Sequence, residues 1–531
     1  MFSYFKKHFY IIGIIYAVAA LIYFPKWTVD DAYITCRYAD NLARHGELTW
    51  NVGEDPIEGY TGIVLPVVLA LFIKLGISPV LMGKIIGILS FFIGGYILNL
   101  ILKLLKVRSP AASIVLIMYF TAPFMFVHAY AGLETLMFSM LILWCVYLFV
   151  NSLIFSELRG KTELKLIILL IITSLARPEG VILSFCILSA LGVNKLVFEK
   201  HGFRKYLLKV SVIFILPCLL YFLWRWNYYG MFLPNTFYAK GSEHLIEKST
   251  VLRLALFTIL YLSIPAVVIA VINLSGFKGV KKQIQQQQSF LLTPAFLTAG
   301  VSIILFAFLV ISRYLQSRLL MNFEFRFFVP FFPLFLIFAA LFLEAGFAGL
   351  KNLKSQKKLL YFAVIVMVSV LTFAQIFLYL KEYKKYVFLK GGYLKMIESE
   401  HIPAGLFVKE RTPASEWVAV IHDVGAIPYF SQRKVIDFSR LNDEVLSQKN
   451  MTESEIVDYF FSFDPGAVVI TSYKWDEVYQ PWIYGEEAKM ITSDPRFSRY
   501  LLVKKFRTDI SPDHPAYDYF EFVYLREDLV E

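Results

Sequence analysis

The chain has 531 residues, of which 58% are hydrophobic and only 18% charged. A soluble domain carries roughly 25% charged residues, so this composition excludes an ordinary soluble enzyme and points to a polytopic membrane protein. The net charge of +11 would suit a nucleic-acid partner in a soluble chain; in a membrane protein it belongs to the basic loops that set topology.

The first apolar run, Phe9–Phe24, is flanked by Lys6 and Lys7. It has no small-residue cleavage site before Pro25-Lys26-Trp27, which predicts an uncleaved first helix. Further runs of spanning length fall at Pro79–Leu102, Ala111–Ala129, Leu133–Phe155, Leu164–Ala176, Gly180–Val197 and Tyr206–Trp226. Four more follow at Val251–Leu274, Phe290–Ser312, Phe327–Gly346 and Leu359–Leu380. Gly62–Leu75 is apolar but short, and it is expected to lie in the interface. With that choice the loops on one side collect Lys6/Lys7, Lys103/Lys106/Arg108, Lys278/Lys281/Lys282 and Lys351/Lys354/Lys357/Lys358. The positive-inside rule then predicts about eleven transmembrane helices, with a cytoplasmic N-terminus and a C-terminus outside the bacterial inner membrane. Residues 1–380 form the transmembrane domain, in which 27–78 make an outer loop with a juxtamembrane helix. Residues 381–531 are a periplasmic α/β domain, with strands expected at Trp417–Ile421, Lys434–Phe438, Ala467–Ile470, Tyr500–Phe506 and Phe520–Leu525. Of the four cysteines, three lie in apolar segments and Cys36 is alone in the first loop, so neither a disulfide framework nor a Cys-rich metal site is expected.

This topology gathers the unusual polar residues on the outer face: the Asp30/Asp31 loop, His128–Glu134, the hairpin Ala176–Gly180, Asn227–Ser249 and Arg313–Arg326. Two adjacent carboxylates at a lipid boundary repel each other and lose hydration. They are kept where a proton, a metal ion or a developing positive charge needs them. No G-x-S-x-G elbow, P-loop or H-E-x-x-H is present. Glycosyl transfer from a polyprenyl phosphate fits such a set. The leaving phosphate needs cationic hydrogen-bond donors more than a general acid, and the acceptor hydroxyl needs one carboxylate base.

Several stretches also resemble a known family. Val29-Asp-Asp-Ala-Tyr-Ile-Thr-Cys-Arg-Tyr-Ala with Asn51-Val-Gly-Glu and Glu58-Gly-Tyr-Thr61 is similar to the first-loop motif of GT-C membrane glycosyltransferases. The nearest group comprises the mycobacterial terminal arabinofuranosyltransferases and their bacterial relatives. Leu175–Gly180, Tyr228–Lys240, Arg326–Pro330 and Asp423-Val-Gly-Ala-Ile-Pro-Tyr resemble it in the same order. Where this chain has Gly62-Ile-Val-Leu-Pro66, that group often has an aromatic residue. The resemblance implies a GT-C fold, a polyprenyl-phosphate sugar donor, a glycan or glycolipid acceptor of the cell envelope, and hexosyl or pentosyl transfer at the Asp pair.

The candidate catalytic residues are therefore Asp30 and Asp31, with Asp30 the preferred base. Arg177, Lys240 and Arg326 are candidates for the donor phosphate. Tyr33, Arg37, Glu58, Tyr60, Glu179 and Asn235 are candidates for substrate contact, and Asp31 with Glu58 for a divalent cation such as Mg or Mn. Each has a structural alternative. The Asp pair could cap the helix that follows, Arg177 and Glu179 could lock a hairpin, and Lys240 and Arg326 could snorkel. The tyrosines could be interfacial packing, and His422-Asp423 a strand-end turn. The competing class is a transporter or lipid flippase, which would need charges near the bilayer midplane and broken helices in paired positions. A structural or sensory protein is a third, which leaves the Asp pair unexplained.

Overall fold

The computed structural model describes residues 10–154, 159–199, 202–239, 248–262, 293–316, 322–351, 358–449, 451–481 and 483–530. Among these, six helices are long and apolar enough to cross a membrane: Pro79–Leu104, Thr135–Ile154, Glu179–Glu199, Phe203–Tyr229, Pro294–Leu315 and Phe323–Glu344. A pair bent by 48°, Ser109–Thr121 and Pro123–Tyr130, is long and apolar enough only when its two helices are taken together. The sequence predicts one unbroken span there. Pro123 has no N–H to donate and its ring crowds the preceding turn, so the helix breaks at Ala122, whose backbone is extended. Ile11–Tyr23 and Val64–Lys74 are shorter apolar helices, the second in the stretch expected to lie flat. The span expected at Val251–Leu274 is described as far as Leu262. Apolar side chains left exposed along Phe203–Tyr229, such as Leu208, Leu220 and Leu223, are the surface a bilayer would cover.

The helix Lys358–Met396 is 39 residues long and runs through the expected domain boundary at Leu380/Lys381. A π-helical turn, Ile397–His401, and the helix Ile402–Arg411 continue it into the C-terminal half. All five expected strands form: β1 (Trp417–Ile421), β2 (Lys434–Asp437), β3 (Ala467–Ser472), β4 (Tyr500–Arg507) and β5 (Phe520–Arg526). Their order is β2-β1-β3-β5-β4, with β2, β1 and β3 parallel and β5 and β4 antiparallel to their neighbours.

Strand side chains alternate between two faces. Ala419, Ile421, Ile436, Val468 and Ile470 pack against Ile456, Val457 and Phe460 of the helix Glu453–Ser462. That helix starts with a capping box between Thr452 and Glu455. Val418, Val420, Val469 and Val523 face the other way, onto Ile34, Tyr38, Trp50 and Tyr60 of the first loop. The first loop is thus part of the C-terminal domain's core, which fixes its distance from the sheet.

Candidate active site

The helix Asp31–His45 carries the first-loop motif, with Asp30 at its N-cap position and Gly46 (φ 77°) ending it in the left-handed region. Its start is tied to the membrane half below. The Trp27 Nε1–H donates to the Val127 carbonyl at 3.1 Å and the Val29 N–H to that of Ala131 at 3.2 Å.

Above, Asp30 is held by the C-terminal domain. Its two oxygens accept from the Gly425 and Ala426 N–H groups, each at 2.8 Å. His401 Nδ1 lies 3.2 Å from the oxygen that Ala426 contacts. A Cβ at position 425 would stand 2.0 Å from the Asp30 carbonyl oxygen and 2.4 Å from its Oδ2, so only glycine permits this approach. Asp30 therefore caps a helix, but the one beginning at Ala426 on another domain. His401 is fully buried, and its Nε2 faces Asp423 Oδ2 and Glu521 Oε1, each at 3.7 Å. Burial opposes its charge, but the carboxylates of Asp423, Asp30 and Glu521 prevail and raise it to about 10. Burial alone would raise the Asp423 carboxyl as well; the neighbouring histidines hold it well below the usual carboxylate range instead. His422 beside it has φ 100°, a strained conformation for a non-glycine residue.

Asp30, His401 and Asp423 each offer one ligand atom within 4.8 Å of the others. Among the described residues these three form a group that could hold a divalent cation. The imidazole meets Asp30 through Nδ1 and Asp423 through Nε2, an arrangement that suits a doubly protonated ring bridging two carboxylates better than one ion bound by all three.

Most of the expected substrate contacts are built into the framework of this seam. Tyr33 packs between Tyr429 and Phe430, 5.7 Å from each ring. Arg37 donates to the carbonyls of Trp50, Pro428 and Arg433 and to the Asn51 side chain, at 2.6–3.0 Å. Glu58 is buried and accepts from Arg225 Nε at 2.6 Å. Burial pushes its carboxyl up to about 7 against the pull of that guanidinium. The Tyr60 and Tyr229 hydroxyls are 3.0 Å apart. Asn235 donates to the carbonyls of Arg440, Leu441 and Asp443 and accepts from Ser447, joining the loop after Tyr229 to the C-terminal domain.

A second charged cluster sits at one end of the membrane half. Arg177 donates to Glu134 at 2.7 Å and to both oxygens of Glu179, at 2.7 and 3.1 Å. Arg326 donates to the same Glu134 oxygen at 3.0 Å, while its buried Nε has no hydrogen-bond partner among the described residues. The Tyr314 hydroxyl donates to Glu179. The turn presenting Arg326 is strained, with Glu324 and Phe325 at φ 43° and 61°, and Lys390 of the long helix holds Glu324 at 3.1 Å. Gly62 touches this hairpin: a Cβ there would lie 2.0 Å from the Ala176 carbonyl. Val29's bond to Ala131 places the cluster's Glu134 three residues from the first loop's anchor. Lys240 lies outside the described residues. Sequence reasoning passed over His401, Glu521, Arg225 and Tyr314, which carry no motif and meet their partners only through the fold.

Residues 394–522 match a family model described as a domain of unknown function, DUF8728. No curated protein matches the chain. Among solved structures, ArnT from Cupriavidus metallidurans superposes over 98% of both chains with TM-score 0.58 and 11% identity. The same protein bound to undecaprenyl phosphate gives 97% of both chains, 0.55 and 12%. The oligosaccharyltransferase AglB from Archaeoglobus fulgidus, in complex with an inhibitory peptide and a dolichol-phosphate, covers 88% of this chain and 69% of that one at 0.51 and 12%. The fold is that of GT-C membrane proteins.

Proposed function

We propose that this chain is a glycosyltransferase that moves a hexosyl or pentosyl group from a polyprenyl-phosphate donor to a cell-envelope glycan or glycolipid at the outer face of the inner membrane. The observation that carries the reading is the position of the first-loop Asp pair, clamped between the membrane half and the C-terminal domain of a GT-C fold. Two proteins of like fold are complexed with polyprenyl phosphates, undecaprenyl phosphate in one and dolichol-phosphate in the other. The first-loop motif adds the likeness to arabinofuranosyltransferases.

In our reading the two carboxylates of the pair have different roles. Asp30 accepts two backbone bonds and faces His401, contacts that tie it to the C-terminal domain. Asp31, in the first turn of the helix, is the base that takes the acceptor proton, and Asp30 is the positioning residue that sets the helix. The acceptor oxygen attacks the anomeric carbon, the bond to the donor phosphate breaks, and the polyprenyl phosphate leaves with its electron pair. Arg326, whose buried Nε has no hydrogen-bond partner among the described residues, receives that phosphate, and Arg177 orients it through the shared Glu134.

The test is sugar transfer by the purified chain from a panel of radiolabelled polyprenyl-phosphate sugars to envelope extract, with and without EDTA. Transfer by wild type, lost in Asp31→Asn and retained in EDTA, is the expected result. Equal transfer by both proteins would remove the base assignment.

A further inference from the structure

Beside the first-loop helix lies a pocket of about 370 Å³ that the roles above do not use. One wall is a single stripe of that helix, Arg37, Asp40, Asn41 and Arg44, at the i, i+3, i+4, i+7 spacing of one helical face. The C-terminal domain supplies the other wall, with Arg433 and Lys434 entering β2.

The charges in this pocket are of two kinds. Arg44 is paired with Asp40 at 2.7 Å, and Lys434 with Glu54. Arg37 and Arg433 instead bind only neutral acceptors. Arg37 donates to three carbonyls and an amide oxygen. Arg433 donates to the Thr412 carbonyl and hydroxyl and to the carbonyls of Lys409, Ser431 and Gln432. Among the described residues neither guanidinium has a carboxylate within ion-pair distance. Carbonyls satisfy the donors' geometry but do not cancel the charge, so two positive charges remain on facing walls of a cavity. They are also linked directly, since Arg37 donates to the Arg433 carbonyl at 2.7 Å. A rigid cavity whose fixed charges are all neutralised except two cations is complementary to an oxyanion.

We propose that this pocket binds a phosphate or carboxylate group carried by the acceptor glycan. Assignment of the anion to the acceptor rests on the transfer reading; anion binding itself does not. Arg37 and Arg44 stand six and thirteen residues beyond Asp31 on one helix, about 9 to 20 Å along its axis. An anionic group in the pocket would therefore belong to the same acceptor as the reacting hydroxyl, a short oligosaccharide's length away. The enzyme would select acidic glycans and lay them along the first-loop helix with the reacting end at Asp31.

The experiment is calorimetric titration of pyrophosphate, and of a uronic-acid disaccharide, into the full-length chain in phosphatidylcholine nanodiscs. Saturable binding of one anion per chain is expected. Arg44→Glu, at an exposed position, should weaken it by about tenfold, and Asp40→Asn should tighten it. Absence of saturable binding, or affinities unmoved by both substitutions, would overturn the site. Discs containing phosphatidylglycerol separate the sources: undiminished affinity is expected, whereas competition by the lipid would assign the pocket to headgroups and overturn the acceptor assignment. Sugar transfer is read separately, so anion binding without transfer counts against the enzyme reading and leaves the site standing.

Discussion

The two charged regions of this molecule satisfy their charges by different means. At one end of the membrane half, Arg177 and Arg326 share Glu134, and Arg177 also binds Glu179. At the seam with the C-terminal domain, Asp30 is met by two backbone N–H groups as well as by His401, and Arg37 by backbone carbonyls and an amide oxygen. In a low-dielectric setting a charge needs a counter-charge, and the cost of breaking such a pair is high. A charge met by peptide dipoles instead, as Arg37 is, is oriented without being cancelled. The first arrangement makes a framework that is nearly neutral as a whole. The second leaves fields that a substrate can use, and it is there that we place the base and the anion pocket.

Substitutions distinguish the two regions, and the greatest loss is expected at Asp31. Asp31→Asn should reduce sugar transfer by about 10²–10⁴-fold, the usual contribution of a general base, with little change in Tm. Glu134→Ala should destabilise the fold by roughly 3–5 kcal/mol, since it strands the buried Arg326 guanidinium and takes one of two carboxylate partners from Arg177; thermal unfolding in detergent reads this. A loss no larger than that of an exposed residue would mean the membrane cluster is as loosely compensated as the seam. Asn235→Ala removes the side chain that joins three C-terminal carbonyls, and about 1–3 kcal/mol is expected, read as early loss of the C-terminal domain in limited proteolysis.

A pH dependence is expected as well. The folded chain holds His401 up to about 10 against the ordinary 6.5, so the folded state binds the proton more tightly than the unfolded one. Its stabilising contribution is complete below about pH 6.5 and is lost as pH rises through about 10. Tm should fall across that window in wild type, and the His401→Gln protein should lack that part of the slope.

Much of the fold was legible because it is written in local periodicity. The five strands follow from β-branched runs such as Ala467–Ile470, which both faces of the sheet bury. The helix Glu453–Ser462 is announced by Thr452 and Glu455. The bend at Pro123 was present in the sequence as a proline inside an apolar run. The site was legible only in part. Asp30 was marked as a possible helix cap, but not that the helix it caps begins 396 residues later, at Ala426. His401 has no motif, and only the π-helical turn at the end of a long helix brings it to Asp30. Tyr33, Glu58 and Asn235 stand in a motif that reads as substrate contact, yet their partners are Phe430, Arg225 and Ser447. Partners distant in sequence leave no trace in local spacing.

The most direct test of the central claim compares Asp30→Asn and Asp31→Asn side by side, measuring kcat for sugar transfer and Tm in the same preparations. The account predicts that Asp31→Asn loses kcat while keeping its Tm. Asp30→Asn should lower Tm and retain more of its activity, because its role is to hold the helix against Gly425 and Ala426. The reverse pattern, with Asp30→Asn inactive at wild-type Tm and Asp31→Asn active, would contradict it.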